Sequence, residues 1–287
     1  MPVEVKNLSH VYMRGTPFET RAIDDISFTI ADGEFLGIIG HTGSGKSTLI
    51  THLNALIKPS EGTVVVNGVD LAAKDTDLAK IRREIGLVFQ YPEYQLFEET
   101  VAKDIAFGPK NLGIGEAEIE ERVAEAIGQV GLAGDIAERS PFELSGGQKR
   151  RVAIAGVLAM RPSVLVLDEP AAGLDPAGRR EMLDLIKSIH ASGRTVVMVS
   201  HSMDDVGRLC DRLIVLNKGK VAFEGAPAEV FQHPDELDEM GLGVPGSVRL
   251  AIRLRARGFD IPADVTSVEA LAEAIINDMN KGSDALA

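Results

Sequence analysis

A glycine-rich run at positions 40–48 has the residue types and spacing of a phosphate-binding loop. It follows an apolar segment and precedes a helical pattern. Glycines let the backbone curl until several N–H groups point at phosphate oxygens, and the helix N-terminus adds a positive dipole. Lys46 would reach the outer phosphates, and the Ser47 hydroxyl would ligate Mg²⁺. The run predicts binding of nucleotide phosphates by Gly40, His41, Thr42, Gly43, Ser44, Gly45, Lys46, Ser47 and Thr48.

Two adjacent carboxylates end a second apolar run. The residues at 164–167 are Val-Leu-Val-Leu, and Asp168 and Glu169 follow them. In open α/β sheets ligands bind beyond the carboxyl ends of the strands. Asp168 would hold Mg²⁺ through water, and Glu169 would polarise an attacking water as a general base. One solvated acid at a strand end would be ordinary, but a carboxylate pair downstream of a phosphate loop predicts nucleotide hydrolysis.

A third segment has the character of a second anion site. Leu144, Ser145, Gly146, Gly147 and Gln148 precede a helical pattern that continues to about Met160. A serine hydroxyl and glycine N–H groups at a helix N-terminus are suited to bind an anion. One nucleotide does not need two such sites from the same chain.

With this pentapeptide the sequence resembles the ABC ATPases, over residues 3–225. The resemblance implies a head-to-tail dimer with two ATP molecules at the interface. In such a dimer the signature of each chain, residues 144–148, caps the ATP on the phosphate loop of its partner. One departure is Ala171, where the family more often has Ser or Thr.

The resemblance assigns further roles by position. It makes Gln90 the Q-loop glutamine, in contact with Mg²⁺ or the attacking water. Asp175 lies in the D-loop, which crosses the dimer interface. His201 becomes the switch histidine that contacts the γ-phosphate. Tyr12 occupies the place of an aromatic residue that stacks on adenine, although an ordinary strand aromatic is the alternative.

A narrower resemblance rests on the segments 10–19, 90–100 and 140–144. They are similar to the second ATPase of the energy-coupling factor transporters, which are micronutrient importers of prokaryotes. This implies the cofactors ATP and Mg²⁺, a second ATPase (related or identical), a transmembrane coupling subunit and a small membrane subunit that captures a vitamin or metal. It also implies a peripheral position on the cytoplasmic face of the cell membrane. We expect residues 91–97 to dock on the membrane subunit, or else to pack on their own subdomain.

Other ABC ATPases remain as alternatives. The serious one is the ATPase subunit of another ABC importer or exporter. ABC proteins of DNA repair carry long insertions that do not fit here, and translation-associated ABC proteins usually have two cassettes, whereas this chain has one signature.

The hydrophobic patterning predicts an α/β fold, and the resemblance implies a P-loop NTPase with an ABC-type nucleotide-binding domain. Val-, Ile- and Leu-rich runs suit a mostly parallel sheet buried on both faces, and they occur at 35–40, 63–66, 85–90, 164–167 and 195–200. The segments 3–12 and 22–30 suggest an antiparallel β subdomain, and 213–216 with 220–224 a hairpin. Helices are predicted at 46–57, 116–130 and 180–190, the second amphipathic.

Three regions follow from this pattern. The ATPase domain covers 1–225, with an inserted helical subdomain at about 91–160, and a C-terminal helical extension covers 226–287. In the extension we expect a basic helix at 247–257 and a capping box from Thr266 to Glu269 before a second helix. The extension either caps the core or contributes to dimerisation.

Composition narrows the classes of function. Lys and Arg number 30 against 43 Asp and Glu, a formal net charge of -13, so a strongly basic face for nucleic acid is not indicated. The single cysteine, Cys210, rules out a disulfide within the chain and fits a reducing compartment. We expect no targeting segment in residues 1–10, and the sequence shows no apolar run of roughly 20 residues. A membrane role would therefore require docking on other chains.

Overall fold

The computed structural model describes residues 3–73 and 76–284, with side chains as far as Asn280, so the outer limits predicted at 1 and 287 lie outside the described residues. The strands are β1 (Val3–Tyr12), β2 (Thr20–Ile30), β3 (Phe35–Gly40), β4 (Glu61–Val66), β5 (Val69–Asp70), β6 (Ile85–Val88), β7 (Val164–Asp168), β8 (Thr195–Val199), β9 (Arg212–Asn217) and β10 (Lys220–Gly225). The α-helices are α1 (Lys46–Leu53), α2 (Leu78–Glu84), α3 (Val101–Asn111), α4 (Glu116–Gln129), α5 (Gly146–Leu158), α6 (Pro176–Ala191), α7 (Met203–Leu209), α8 (Pro227–Val230), α9 (Pro234–Glu239), α10 (Gly246–Arg255) and α11 (Val268–Asp284). Short 3₁₀ helices span Pro92–Gln95, Gly134–Glu138 and Pro141–Glu143.

The chain forms two compact units. The first contains the residues up to Glu34 together with Ser47–Val199, and the second contains Phe35–Lys46 together with the residues from Ser200 onward. Each unit is described in turn.

The first unit begins with an antiparallel sheet, as predicted. Its strand order is β2-β1-β4-β5. Val3 lies opposite Ile30 on one side and Val66 on the other, and all three side chains are buried. Because side chains alternate between the faces of a strand, this register collects the apolar residues of β1, β2 and β4 on one face.

A parallel array in the first unit carries the predicted carboxylates. Strand β7 lies between β6 and β8, with Val88 opposite Leu167 and Asp168 opposite Val199. Residues 164–167 of β7 and all of β8 are buried, the pattern expected for strands covered on both faces. Parallel strands end at the same edge, so the residues that follow β6 and β7 emerge together.

Residues 100–160, all of them described, contain helices and no strand, as predicted. The apolar face of α4 is buried and includes Ile119, Val123 and Ile127. Buried Arg122 on the same helix donates to Glu118 and to the carbonyl of Ala159. Throughout the described part of the chain, no helix has the length and apolar character needed to cross a membrane.

The second unit is built on β3, β9 and β10. Strand β3 pairs in parallel with β9, and β9 pairs antiparallel with β10, which confirms the predicted hairpin. Gly37 in β3 has no room for a side chain, because a Cβ there would lie 2.9 Å from the sulfur of Cys210. Burial raises the pKa of the Cys210 thiol well above its ordinary value.

The C-terminal helices pack within the second unit. Ala251 of α10 and Leu271 of α11 share an apolar cluster with Ile261, Val265 and Ala274. The predicted capping box at Thr266 is wrong. Ser267 caps α11 through a 3.1 Å bond from the amide of Ala270, while the Thr266 hydroxyl donates to Gly207 of α7 at 3.0 Å.

Candidate active site

The glycine-rich loop lies between β3 and α1, the order expected for phosphate binding. The Lys46 ammonium donates to the carbonyls of Gly40 and His41 at 2.7 and 2.9 Å. The amide of Gly219, in the β9–β10 turn, donates to the carbonyl of Ser44 at 3.1 Å. The loop is therefore held from two directions, by its own lysine and by the hairpin.

Two glycines are required by the shape of this loop. A Cβ at Gly40 would lie 2.4 Å from the Ser44 hydroxyl oxygen and 2.5 Å from the carbonyl oxygen of Leu216. Gly45 has a φ of 106°, which side-chain-bearing residues rarely adopt. Ser44 is fully buried, whereas Thr42, Gly43 and Ser47 are exposed.

Asp168 and Glu169 stand where β7 ends, and both are partly buried. The amide of Glu169 donates to the carbonyl of Val199 at 3.0 Å, which extends the pairing with β8 by one residue. Glu169 then adopts a left-handed backbone with φ 50°. Such a conformation costs energy in a residue other than glycine and is found disproportionately at functional sites.

Gln90 lies at the same edge. The predicted strand 85–90 is shorter in the structure, because β6 ends at Val88. Strands β6 and β7 are parallel and in register. Gln90 follows the end of β6 and is exposed, and Asp168 is the last residue of β7, so both lie at one edge of this sheet.

The candidate metal ligands fit Mg²⁺. Ser47, Gln90 and Asp168 offer hydroxyl, amide and carboxylate oxygens, which hard cations prefer. Among the described residues no group of three His, Cys, Asp or Glu could hold a metal ion alone. Mg²⁺ is usually bound by one or two carboxylates together with substrate phosphates and water, so a single carboxylate here is in keeping with that ion.

The signature pentapeptide begins α5 with a reciprocal cap. The Ser145 hydroxyl accepts from the amide of Gln148 at 3.3 Å, and the Gln148 side chain accepts from the amide of Ser145 at 3.0 Å. Leu144 is buried, whereas Ser145, Gly146 and Gly147 are exposed. Leu144 therefore anchors the segment while its polar part faces outward.

Tyr12 ends β1 beside α1. Its hydroxyl lies 3.3 Å from that of Thr48, and the residue is 41% exposed. His10 contacts Tyr12 edge-on, with 4.4 Å between ring centroids, and its other neighbour is the ring of His52 at 4.7 Å. Burial, and then the proximity of His10, lower the pKa of His52 to about 4. Sequence reasoning missed His52, which no motif marks, and noted His10 only as part of the segment 10–19.

Asp175 and His201 occupy the starts of two other helices. The Asp175 carboxylate accepts from the amide of Gly178 at 2.7 Å and so caps α6. His201 is exposed, two residues after β8 and two before α7. Within the first unit Gln90 and Asp168 thus lie at one edge of the sheet, and the Tyr12 hydroxyl meets that of Thr48, while Ser145 and Asp175 cap separate helices.

Comparison with known proteins decides the family. The family model described as ABC transporter matches residues 23–172. The energy-coupling factor transporter ATP-binding protein EcfA2 of Caldanaerobacter subterraneus is 56% identical over 277 residues, which cover 96% of this chain and 97% of that protein. The chain belongs to the energy-coupling factor ATPases of the ABC transporter family. The EcfA2 protein of Clostridioides difficile is 54% identical to this energy-coupling factor ATPase, over 96% of the chain and 97% of the relative.

Solved structures confirm the predicted fold class. The cbiO1 protein from Clostridium perfringens, described as part of the ABC transporter complex cbiONQ, has a TM-score of 0.72 and 38% identity, covering 84% of this chain and 94% of that one. The ATP-binding cassette MJ0796, in a dimeric post-hydrolysis state with ADP and Pi, has a TM-score of 0.69 and 32% identity, covering 78% and 98%. As a member of this family, the energy-coupling factor ATPase binds ATP and hydrolyses it in support of transport.

Proposed function

We propose that this energy-coupling factor ATPase drives a prokaryotic importer of vitamins or metal ions. The observation that carries the proposal is its likeness to EcfA2 proteins along nearly the whole chain, at 56% identity over 96% of its residues. The presence of the phosphate loop, the carboxylate pair and the signature in one sequence supports the proposal.

Residues 40–48 would hold the triphosphate of ATP, with Lys46 at the β- and γ-phosphates and Tyr12 against adenine. Ser47, Gln90 and Asp168, the last through water, would hold Mg²⁺. The ion, when bound, neutralises charge on the phosphates. Lys46 already lies along the loop backbone, where its ammonium donates to the carbonyls of Gly40 and His41.

Glu169 would act as the general base. Its backbone is fixed by the bond to Val199 and by the left-handed turn, and this fixes the origin of its side chain relative to β7. Gln90 would orient the attacking water, and His201 would contact the γ-phosphate. Preorganised groups of this kind lower the barrier because they need no rearrangement during the reaction.

The exposed part of the signature would act on ATP held by a second ATPase. Ser145, Gly146 and Gly147 are exposed at the start of α5, where the helix N-terminus stabilises an anion. Each γ-phosphate would then be shared between Lys46 of one chain and Ser145 of the other, with Asp175 at the interface. ATP binding closes such a dimer, and hydrolysis reopens it.

Membrane partners follow from the same family. The partners would be a related or identical ATPase, a transmembrane coupling subunit and a small substrate-capture subunit, with this chain on the cytoplasmic face of the membrane. The docking surface would be the segment after Gln90, where Tyr94 is 84% and Phe97 56% exposed. The ATPase domain would cover 1–225. The extension 226–287 would help to hold the two ATPases together, and its helix α11 exposes the apolar residues Val268, Ile276 and Met279.

Affinity purification of the tagged chain, co-expressed with the products of neighbouring genes, tests this proposal. We expect a complex of two ATPases, one multi-span protein and one small membrane protein, with ATP-dependent uptake in vesicles. Recovery of the chain with a lipid-anchored or periplasmic solute-binding protein would contradict it and favour another ABC importer. Recovery with no membrane protein at all would contradict the transport role.

A further inference from the structure

Arg150, on the first half of α5, is a buried cation with an unusual set of partners. Its side chain is 2% exposed. Its Nε and Nη2 donate to the two carboxylate oxygens of Glu93, at 2.9 and 2.5 Å. Glu93 lies in the 3₁₀ helix Pro92–Gln95, which Tyr91 separates from Gln90. This bidentate pair therefore joins the signature helix to the segment that follows the Q-loop glutamine.

The remaining terminal nitrogen reaches a third segment. Nη1 of Arg150 donates to the carbonyl of Pro170 at 3.1 Å and to that of Ala172 at 2.8 Å. Pro170 is the residue directly after Glu169. The guanidinium therefore holds the backbone on the carboxyl side of the proposed general base, opposite the bond from the Glu169 amide to Val199.

An aromatic contact joins the same segments. The Arg150 guanidinium carbon lies 5.9 Å from the centroid of the Tyr91 ring, within cation–π range. A Cβ at Gly173 would lie 3.3 Å from the ring of Tyr91, so this ring also touches the loop that leads to Asp175. Tyr91 has a left-handed backbone with φ 54°.

We propose that Arg150 is a positioning residue for hydrolysis. Through its bonds, the position of Glu93 determines the position of the backbone at Glu169. The guanidinium is planar and its donors point in fixed directions. It cannot keep both oxygens of Glu93 and both carbonyls if either side shifts alone. Displacement of the segment after Gln90 must therefore displace the backbone beside Glu169, or else break these bonds.

The inference rests on the proposed role of Glu169 as base, and it adds a route of control to that role. Exposed Tyr94 shares the 3₁₀ helix of Glu93. A partner that presses on Tyr94 would act through Glu93 and Arg150 on the catalytic carboxylate. Catalytic groups must be held to about 0.5 Å, so a small shift is enough to change turnover.

Two conservative substitutions test the proposal in the complete transporter complex. R150K keeps the charge but cannot reach Glu93 and two carbonyls together, and E93Q keeps the shape of the side chain but removes its charge. We expect each variant to lower kcat for ATP about tenfold and to change KM less than about twofold. E93Q keeps the test open if R150K does not fold.

The matched controls are R122K and E118Q. Like Arg150, Arg122 is buried, at 5% exposure, is paired with a glutamate and donates to a backbone carbonyl. Unlike those of Arg150, its partners all lie within the helical subdomain. We expect both controls to lower the melting temperature while leaving kcat per folded molecule unchanged. The double variant E93Q/R150K should lose no more activity than R150K alone, because the two residues act as one unit.

Equal kcat losses in the Arg150 and Arg122 variants, or unchanged kcat in both R150K and E93Q, would overturn the proposal. The variant E169Q, measured alongside, distinguishes failure of the positioning role of Arg150 from failure of the proposed function. Full turnover by E169Q refutes the base itself, whereas loss of turnover in E169Q with normal kcat in R150K and E93Q refutes only the positioning role.

Discussion

The amide of Glu169 donates to the carbonyl of Val199 at 3.0 Å, and the chain turns left-handed at that same glutamate. The β7–β8 pairing thus continues one residue past Asp168 and then stops. Because a neighbouring strand holds its amide, the carboxylate starts from a fixed point at the edge of the sheet.

Replacement of this carboxylate by an amide, E169Q, should leave ATP binding and dimer formation intact and lower hydrolysis by about 10²- to 10⁴-fold, the contribution typical of a general base. The amide has the same shape but cannot accept the proton of water. Steady-state ATPase rates, with ATP-dependent dimerisation by gel filtration, measure both effects. Turnover within a factor of two of the original rate would show that another group is the base.

Lys46 should be needed for nucleotide affinity. K46A removes the cation whose ammonium contacts the carbonyls of Gly40 and His41, and it leaves the phosphates without that charge-assisted partner. We expect ATP affinity to fall by at least about tenfold, as measured by equilibrium binding of a fluorescent ATP analogue. K187A, on the exposed side of α6, is the control and should bind as the original chain does.

The same substitution at two glycines should have opposite effects. G40A places a methyl group 2.4 Å from the Ser44 hydroxyl oxygen, so the free energy of unfolding should fall by about 2 kcal/mol. Gly128 lies in α4, and no heavy atom is within 4 Å of the carbon that G128A adds. Because alanine favours a helix more than glycine does, G128A should raise the free energy of unfolding by about 0.5–1 kcal/mol. Urea titrations measure both, and a stabilised G40A would contradict the packing of the loop.

Ser145 has two roles that substitutions can separate. S145A removes the helix cap and should lower stability by about 1 kcal/mol together with ATPase activity. S145D restores a good cap but sets a negative charge against the partner's triphosphate. We expect S145D to recover the melting temperature and not the ATPase rate. If S145D hydrolyses ATP normally, the signature does not face a phosphate.

His52 should make stability depend on pH in the acid range. The folded chain keeps His52 neutral down to about pH 4, whereas an unfolded chain takes up a proton near pH 6.5. Between these two pH values the unfolded state binds more protons than the folded state. The contribution of neutral His52 to folding stability is therefore intact above pH 6.5 and is lost as the pH falls toward 4.

H52F should therefore show a shallower loss of melting temperature between pH 7 and pH 5 than the original chain. An NMR titration of the His52 ring gives an independent measure, with its midpoint near pH 4. Identical pH slopes for the two proteins, or an NMR midpoint at 6.5, would be incompatible with a buried neutral ring.

The elements that position the site were predictable because their signals are local. Runs of Val, Ile and Leu marked β3, β7 and β8 to within one residue. The glycine-rich loop and the signature were predictable for the same reason, since each places its polar groups within nine residues or fewer. The assigned roles of Gln90, Asp175 and His201 came from family resemblance and remain predictions.

The end of α1 could not be read from the sequence. The predicted helix continued to 57 before Pro59, but α1 ends at Leu53. Ala55 is left-handed at φ 55°, and the amide of Leu56 bonds back to Thr51 while that of Ala55 bonds to His52. This is a Schellman cap with alanine where glycine is usual, so the ordinary stop signal is missing.

The network of Arg150 was equally out of reach. Glu93 is 57 positions away along the chain, and only tertiary packing brings the two together. Long-range pairs of this kind have no periodicity, and a charged residue in a helix pattern is ordinarily read as solvated. The pair becomes visible only when burial and donor directions are known.

Cys210 has a practical consequence for measuring the proposed displacement of the segment after Gln90. It is the only thiol in the sequence, and it lies buried under β3 with its reactivity suppressed. A cysteine introduced at an exposed position such as Tyr94 would therefore accept a maleimide fluorophore or a spin label alone, on the native background. Distances between two such probes could then be followed through a single turnover without first removing the natural cysteine.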